Sequence, residues 1–308
     1  MNSARKKIIL DTDIGSDVDD AVSLAWLLRE PKCELLGITT VSGDTCLRAS
    51  LASALCRDAG REEVPIYPGI ASPMFLSESR QPEVPQADIL ANGKCSHQQA
   101  DSFPQHQAIR FLQETIRANP GEVTLLAIGP LTNLGLLFSV DPEIPSLLKE
   151  LVIMGGNFTP VRWLGEYGAG RCEWNIVNDP HAAEIVYRAD VKIHRSIGID
   201  VTARVNLSPA EVRQRFRCPG LNLVLEMAQV WFDGGRDEVT FHDPLAAVSI
   251  FEPDICSWAR GGVQVVPDGL MEGYTLFNPD APQESPVHEV ANDVDIPRFF
   301  DRYFGNFI

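Results

Sequence analysis

Residues 8 to 21 read Ile-Ile-Leu-Asp-Thr-Asp-Ile-Gly-Ser-Asp-Val-Asp-Asp-Ala, which puts five aspartates, Asp11, Asp13, Asp17, Asp19 and Asp20, within ten positions. Carboxylates this close raise one another's pKa, and burial penalises each anion further. A bound divalent cation is the simplest remedy. One or two of the aspartates could cap a helix that begins near Val18, but five are more than capping can use. Donors that are all oxygen select a hard cation, Ca²⁺ or Mg²⁺, over zinc. An EF-hand loop starting at Asp11 would need Gly at its sixth position and Glu at its twelfth. Ser16 and Val22 stand there, so that loop is excluded. Asp11-Thr12-Asp13 also fits the first strand end of a Mg²⁺-dependent phosphatase, with Asp11 as nucleophile and Asp13 as acid/base. No Gly-Asp-x-x-x-Asp-like segment late in the chain completes that site.

Composition narrows the partners. Lys plus Arg number 26 against 42 Asp plus Glu, a formal net charge of -16. That charge opposes attraction to phosphate backbones and anionic lipid, so no nucleic acid polymer and no membrane is expected as a partner. A cation or a small, weakly charged ligand suits it. With 44% hydrophobic and 22% charged residues and no long polar tract, the 308 residues read as a globular chain with a sizeable core. Seven cysteines, odd in number and without a Cys-x-x-Cys pair, argue against a disulfide framework or zinc site and for a reducing compartment. The basic start, Met1 to Lys7, is followed by only three strongly apolar residues before Asp11. That is too short for a signal peptide, and no run reaches transmembrane length, so a cytoplasmic location is expected.

The elements that must position the aspartates alternate. Ile8 to Leu10 reads as a buried strand and Val22 to Leu28 as the helix after it, ended with the help of Pro31. Strands are expected at 33–41, 64–67, 123–128, 151–154 and 191–199, and helices at 47–58, 105–118, from about 131, 179–188, 209–216 and 221–232. Pro244 fits the first turn of a helix over 245–251, for which Asp243 would be the N-cap. Strands at 262–266, 272–277 and 287–291 and a helix at 296–304 close the chain. The pattern predicts an α/β fold: a single domain over residues 1–308, with a mostly parallel central sheet flanked by helices. Two irregular stretches interrupt it. Residues 68–104 read as a substrate lid whose candidate side chains are Asp88, Asn92 and His97, and residues 158–178 hold Glu166, Glu173, Trp174, Asn175 and Asn178. Trp26, Trp231, Phe232 and Trp258 sit at helical spacings and read as core or interface.

In open parallel sheets, ligands gather beyond the carboxyl ends of the strands. The sequence places there Asp13, Asp17, Asp19 and Asp20, then Asp44, the Ile128 carbonyl and Asn157. The Glu173-Trp174-Asn175 loop and His242-Asp243 can reach the same mouth. Asp11-Thr12-Asp13 with Gly15 and Asp19-Asp20-Ala21, Thr39-Thr40-Val41-Ser42-Gly43-Asp44, Gly129-Pro130-Leu131-Thr132-Asn133, Met154-Gly155-Gly156, Glu173-Trp174-Asn175-Ile176 with Asp179-Pro180, and His242-Asp243-Pro244 together resemble the nucleoside hydrolase family. The matches run in order from residue 8 to about 250.

The resemblance implies a Ca²⁺-dependent N-ribohydrolase that splits a ribonucleoside into base and ribose, with the site at the C-terminal ends of the strands. By matching positions, Asp13 would touch the metal and act as general base. Asp20, Asp243 and the main-chain carbonyl of Ile128 would complete the ligands. Asp19, Glu173 and Asn175 would grip the ribose hydroxyls, with Asn157 beside them; Trp174 would wall the sugar and His242 would protonate the leaving base. The resemblance also implies a homo-oligomer, dimer or tetramer. Two residues more than the family's usual Asp-x-Asp-x-Gly-x-Asp-Asp separate the glycine from the paired aspartates, so Asp17 competes with Asp19. The pair Asp19-Asp20 is favoured because it abuts the helix. The His-Gly segment that many members carry after the third strand is replaced by Ala91 to His97, and the run after Asn157 departs from the family pattern too. Besides the phosphatase, a non-catalytic nucleoside- or ribose-binding protein is the alternative, against which Asp13 and His242 both count.

Overall fold

The computed structural model describes residues 5–75, 77–91, 95–158, 172–281 and 286–307. Its strands are β1 (Lys6–Thr12), β2 (Cys33–Thr40), β3 (Ile66–Pro68), β4 (Val123–Ala127), β5 (Glu150–Met154), β6 (His194–Ile197), β7 (Asn206–Leu207), β8 (Val239–Thr240), β9 (Cys256–Val265), β10 (Thr275–Asn278) and β11 (His288–Val294). Nine form one sheet in the order β10-β9-β11-β6-β5-β4-β1-β2-β3, and β7 pairs with β8 apart from it. From β3 across to β11 every pairing is parallel, while β9 runs antiparallel to β11 and β10. The expected α/β fold with a mostly parallel sheet is the one observed.

β1 lies inside the sheet, between β2 and β4, and both its faces are apolar. Ile8 and Leu10 enter one core and Ile9 the other, all three fully buried, as strands covered on both sides require. The core under Ile8 and Leu10 holds the helices Asp19–Arg29, Thr45–Asp58 and His242–Phe251; the core under Ile9 holds Ala108–Ala118, Thr132–Val140 and Pro180–Tyr187. The helix after β1 and the helix after β4 therefore leave to opposite faces although their strands are neighbours. A crevice opens between them at the carboxyl ends of β1 and β4, the switch point at which open α/β sheets bind ligands.

One predicted boundary is corrected. The helix that carries Asp243 starts at His242, its cap position is Phe241, and Asp243 lies inside the first turn with its carboxylate buried. Its backbone amide is turned to the neighbouring helix, where it donates to Asp19. Asp44, placed by sequence among the groups at the strand ends, is instead a cap: its carboxylate accepts 2.9 Å from the Leu47 amide.

Candidate active site

The acidic turn is built from β1 outward. Asp13 follows the strand, and Gly15 turns the chain at φ +113, a conformation that L side chains rarely adopt. Asp19 and Asp20 then form the first turn of a helix that is buried along nearly its whole length. Thr12 donates its hydroxyl to Asp20 Oδ1, tying the strand end to that turn. Across the switch point, a Cβ at position 129 would lie 2.9 Å from both the amide and Oδ1 of Asp13. Only glycine lets the segment after β4 approach so closely.

The last third of the chain reaches this turn through helix packing. The Asp243 amide donates to Asp19 Oδ2 at 3.2 Å, and Ser23 Oγ lies 3.5 Å from the Asp243 carbonyl. The result is a group of three buried carboxylates, Asp19, Asp20 and Asp243, with oxygens within 4.8 Å of one another. Burial, reinforced by repulsion from neighbouring carboxylates that include Asp13 and Asp17, lifts all three well above the ordinary carboxylate range. Asp13 is also raised by burial, with Arg48 partly offsetting it. Asp17 is pushed up to about 6, again mainly by burial, and its carboxylate accepts from the Val18 amide at 2.5 Å. Of the two competitors, Asp19 is thus the one that joins Asp20.

Such a group fits a cation on the chemistry of its donors. Among the described residues no side-chain cation hydrogen-bonds to these three carboxylates, and desolvating ions without partners costs several kcal/mol apiece. Their donors are oxygen throughout, the set a hard divalent ion takes. Asp13 is not one of the three that close within 4.8 Å, yet it lines the same cavity and its charge acts on all of them.

The cavity above them has a volume of about 870 Å³, ample for a nucleoside. Ile128, Glu173, Trp174, Asn175 and His242 line it with Asp13, Asp19, Asp20 and Asp243. Glu173 caps its helix, accepting from the amides of Asn175 (2.9 Å), Gly156 and Ile176 (both 3.1 Å), and burial raises it to about 7. Asn175 Nδ2 donates to the carbonyls of Ile128 (3.0 Å) and Met154 (3.1 Å). Trp174 stays exposed and gives its indole N–H to Gln81 Oε1. His242 Nδ1 meets Thr202 Oγ1 at 2.6 Å, and burial pulls its pKa down to about 4, so the ring is neutral at pH 7. Asn157 is not brought to the cavity lining: it is buried at the end of β5, with its backbone N–H and carbonyl both bonded to Thr275 Oγ1.

Comparison with known proteins decides the family. The family model described as inosine-uridine preferring nucleoside hydrolase matches residues 8–301. The chain belongs to the inosine-uridine preferring nucleoside hydrolase family. Uridine nucleosidase 1 of Arabidopsis thaliana is 32% identical over 290 residues, covering 89% of this chain and 82% of that one. The non-specific ribonucleoside hydrolase RihC of Escherichia coli is 30% identical over 307 residues, covering 96% of each. Among solved structures, the plant nucleoside hydrolase PpNRh1 superposes with a TM-score of 0.81 at 27% identity, and the purine-preferring ribonucleoside hydrolase of Gardnerella vaginalis with 0.82 at 25%; each comparison covers 98% of both chains.

As a nucleoside hydrolase, the chain is an enzyme that cleaves N-glycosyl bonds, and the family is metal-dependent. The phosphatase reading falls on geometry as well. Asp11, its would-be nucleophile, is fully buried beneath the site, and its Oδ2 is taken by Thr39 Oγ1 (2.5 Å) and Asn133 Nδ2 (2.6 Å). In the hydrolase the expected lid side chains are replaced by others. Arg80, Gln81 and Glu83 line the cavity, whereas Asp88 and His97 do not, and Asn92 and Glu166 lie outside the described residues. Trp231, expected in core or interface, lines the cavity with the Arg236 guanidinium 4.7 Å from its ring centre. The rim residues lie in a non-periodic segment whose shape depends on partners far away in sequence, whereas Trp231 lies in the helix Asn222–Asp233, where spacing alone does not separate a packed ring from one that lines a cavity.

Proposed function

We propose that the cation is Ca²⁺, held by Asp13, Asp20, Asp243 and the main-chain carbonyl of Ile128, and that Asp13 takes the proton of the attacking water. The observation that carries this reading is the meeting of Asp20 and Asp243, 223 positions apart in the chain, in one buried oxygen cluster under a nucleoside-sized cavity. When bound, the cation supplies positive charge that makes a water easier to deprotonate. Water adds to the anomeric carbon, the bond from that carbon to the base nitrogen breaks, and the base leaves with the bonding pair and acquires a proton. Ribose and free base result. The transition state resembles an oxocarbenium ion, so the acidic wall stabilises the positive charge that develops.

Asp19, tethered by the Asp243 amide, takes a ribose hydroxyl beside the cation site. Glu173 and Asn175 hold the other sugar hydroxyls, and their own bonds to backbone fix them before substrate arrives. Trp174 walls the sugar. His242, anchored by Thr202, accompanies the leaving base. Relatives are named for uridine, for purines and as non-specific, so the accepted base is left to assay. Incubation of the purified protein with Ca²⁺ and each common ribonucleoside is expected to release free base and reducing sugar from at least one of them. Release from none would sink the reading, with Asp13→Asn as the matched inactive control.

Two supporting traits belong to the same reading. All seven cysteines are free, in keeping with a reducing, cytoplasmic location, and no described helix is long and apolar enough to cross a membrane. The homo-oligomer that the family resemblance implies belongs to the same reading, and sedimentation would test it.

A further inference from the structure

Arg48 is an arginine with no exposed surface, set in the first turn and a half of the helix that follows β2. Ser42 and Gly43 bring it there by turning the chain through two consecutive left-handed residues, at φ 69 and 63. For Ser42, which carries a Cβ, that conformation is strained. The turn aims the Ser42 carbonyl at Arg48 Nε, which donates to it at 2.7 Å.

The rest of the guanidinium reaches two other segments. Nη1 donates to the carbonyls of Asp13 and Ile14 (3.0 Å to the latter) and to Ser16 Oγ at 2.9 Å, and Nη2 donates to the Gln81 carbonyl at 3.1 Å. Its N–H groups are thus occupied by backbone and hydroxyl oxygens, and none of these bonds goes to a carboxylate oxygen. The positive charge sits among Asp13, Asp20 and Asp44, yet none of the Arg48 N–H bonds is spent on a carboxylate of the cation site. Gln81 is in turn the residue that receives the Trp174 indole N–H, and its neighbour Arg80 pairs with Glu272 at 2.7 Å. Ser42 Oγ and Ser79 Oγ meet at 2.6 Å, a second tie to the same rim.

We infer that Arg48 is a positioning residue that joins the acidic turn to the rim segment 79–82, so that occupation of the cation site orders the mouth over the nucleoside. Lysine cannot replace it, because a point ammonium has three donors and cannot span the three segments that the planar fork spans. The inference rests on the Ca²⁺ reading above, and its test separates the two.

Ca²⁺ is titrated calorimetrically into the metal-stripped full chain without substrate, and amide hydrogen exchange is followed in peptides covering 79–83. In the wild type, Ca²⁺ is expected to slow exchange there at least fivefold, although no residue of that segment is a proposed ligand. In Arg48→Lys the slowing is expected to vanish, the Ca²⁺ dissociation constant to rise about tenfold, and KM for the nucleoside to rise about tenfold. At saturation kcat should stay within threefold, a split that simple loss of folded enzyme would not give. A wild type that binds Ca²⁺ with no change at 79–83 overturns the inference without needing any variant. So does a folded Arg48→Lys that keeps the slowing and wild-type KM. Should lysine not fold at this site, Arg48→Ala with millimolar guanidinium takes its place: recovery of the slowing supports the inference, and a folded protein without recovery overturns it. A wild type that binds no Ca²⁺ overturns the metal reading, and this inference with it.

Discussion

Asp13 and Asp20 are two positions on one turn with different supports, and the difference suits the duties proposed for them. Asp20 receives the Thr12 hydroxyl on Oδ1, a support that suits the ligand role proposed for it, while Asp13 stands at the crevice where only Gly129 leaves it room. Asp13→Asn should lower kcat about 10³-fold with KM little changed, since general-base catalysis is worth 10²–10⁴; steady-state kinetics at saturating Ca²⁺ checks it. Thr12→Val should weaken Ca²⁺ binding by roughly tenfold, the usual cost of losing a bond that orients a ligand, as read by calorimetry. The residues named from sequence mostly meet where expected: Asp13, Asp19, Asp20, Ile128, Glu173, Trp174, Asn175, His242 and Asp243 all line one cavity. Asn157 does not: it is buried, with Thr275 Oγ1 bonded to its backbone N–H and carbonyl. Arg48 could not be picked out beforehand: an arginine in an alanine-rich helix reads as a solvated face, and only the folded turn at Ser42 shows it pointing inward.

The elements show why a local reading went as far as it did. Apolar runs, capping residues and prolines mark β1, β2, β4, β5 and most helices to within a few residues, because each depends on its own side chains. The start of the helix at His242 depends on another helix, through the Asp243 amide and Asp19, so its first turn was misplaced. The rim at 79–83 was equally hidden, since its shape is set by Arg48, Trp174 and Glu272. The final helix, Ile296–Gly305, is anchored behind the site by Tyr303 Oη on the Val22 carbonyl (2.8 Å) and by Arg302 and Asn306 on the buried Glu30. Although burial opposes it, the bonds from Asn306, Lys32 and Arg302 hold the Glu30 carboxyl below its ordinary value. Its contribution is therefore complete above that ordinary value and is lost as pH falls through the lowered one. Glu30→Gln should cost about 2 kcal/mol at pH 7 and leave kcat unchanged, and the difference in Tm from wild type should shrink below about pH 4.

At the scale of the whole molecule, the net charge of -16 converges on a site that is unstable without a counter-ion. Folded values raised above the unfolded ones mean that the metal-free native state holds more protons than the unfolded chain. Its stability therefore falls as pH rises through those values, which for Asp17, Asp11 and Glu173 are about 6, 7 and 7. In chelator, Tm should decline between about pH 5 and 8, and Ca²⁺ at a hundred times its dissociation constant should restore about 2.7 kcal/mol, roughly 5 °C of Tm for a chain of this size. Scanning calorimetry across pH, with and without Ca²⁺, checks the sign.

The most direct measurement titrates Ca²⁺ into metal-stripped wild-type protein and Asp243→Ala by calorimetry, each shown to be folded. One ion per wild-type chain and no binding by the variant is the predicted result; equal binding by both would contradict a site shared between the first turn and the last third of the chain.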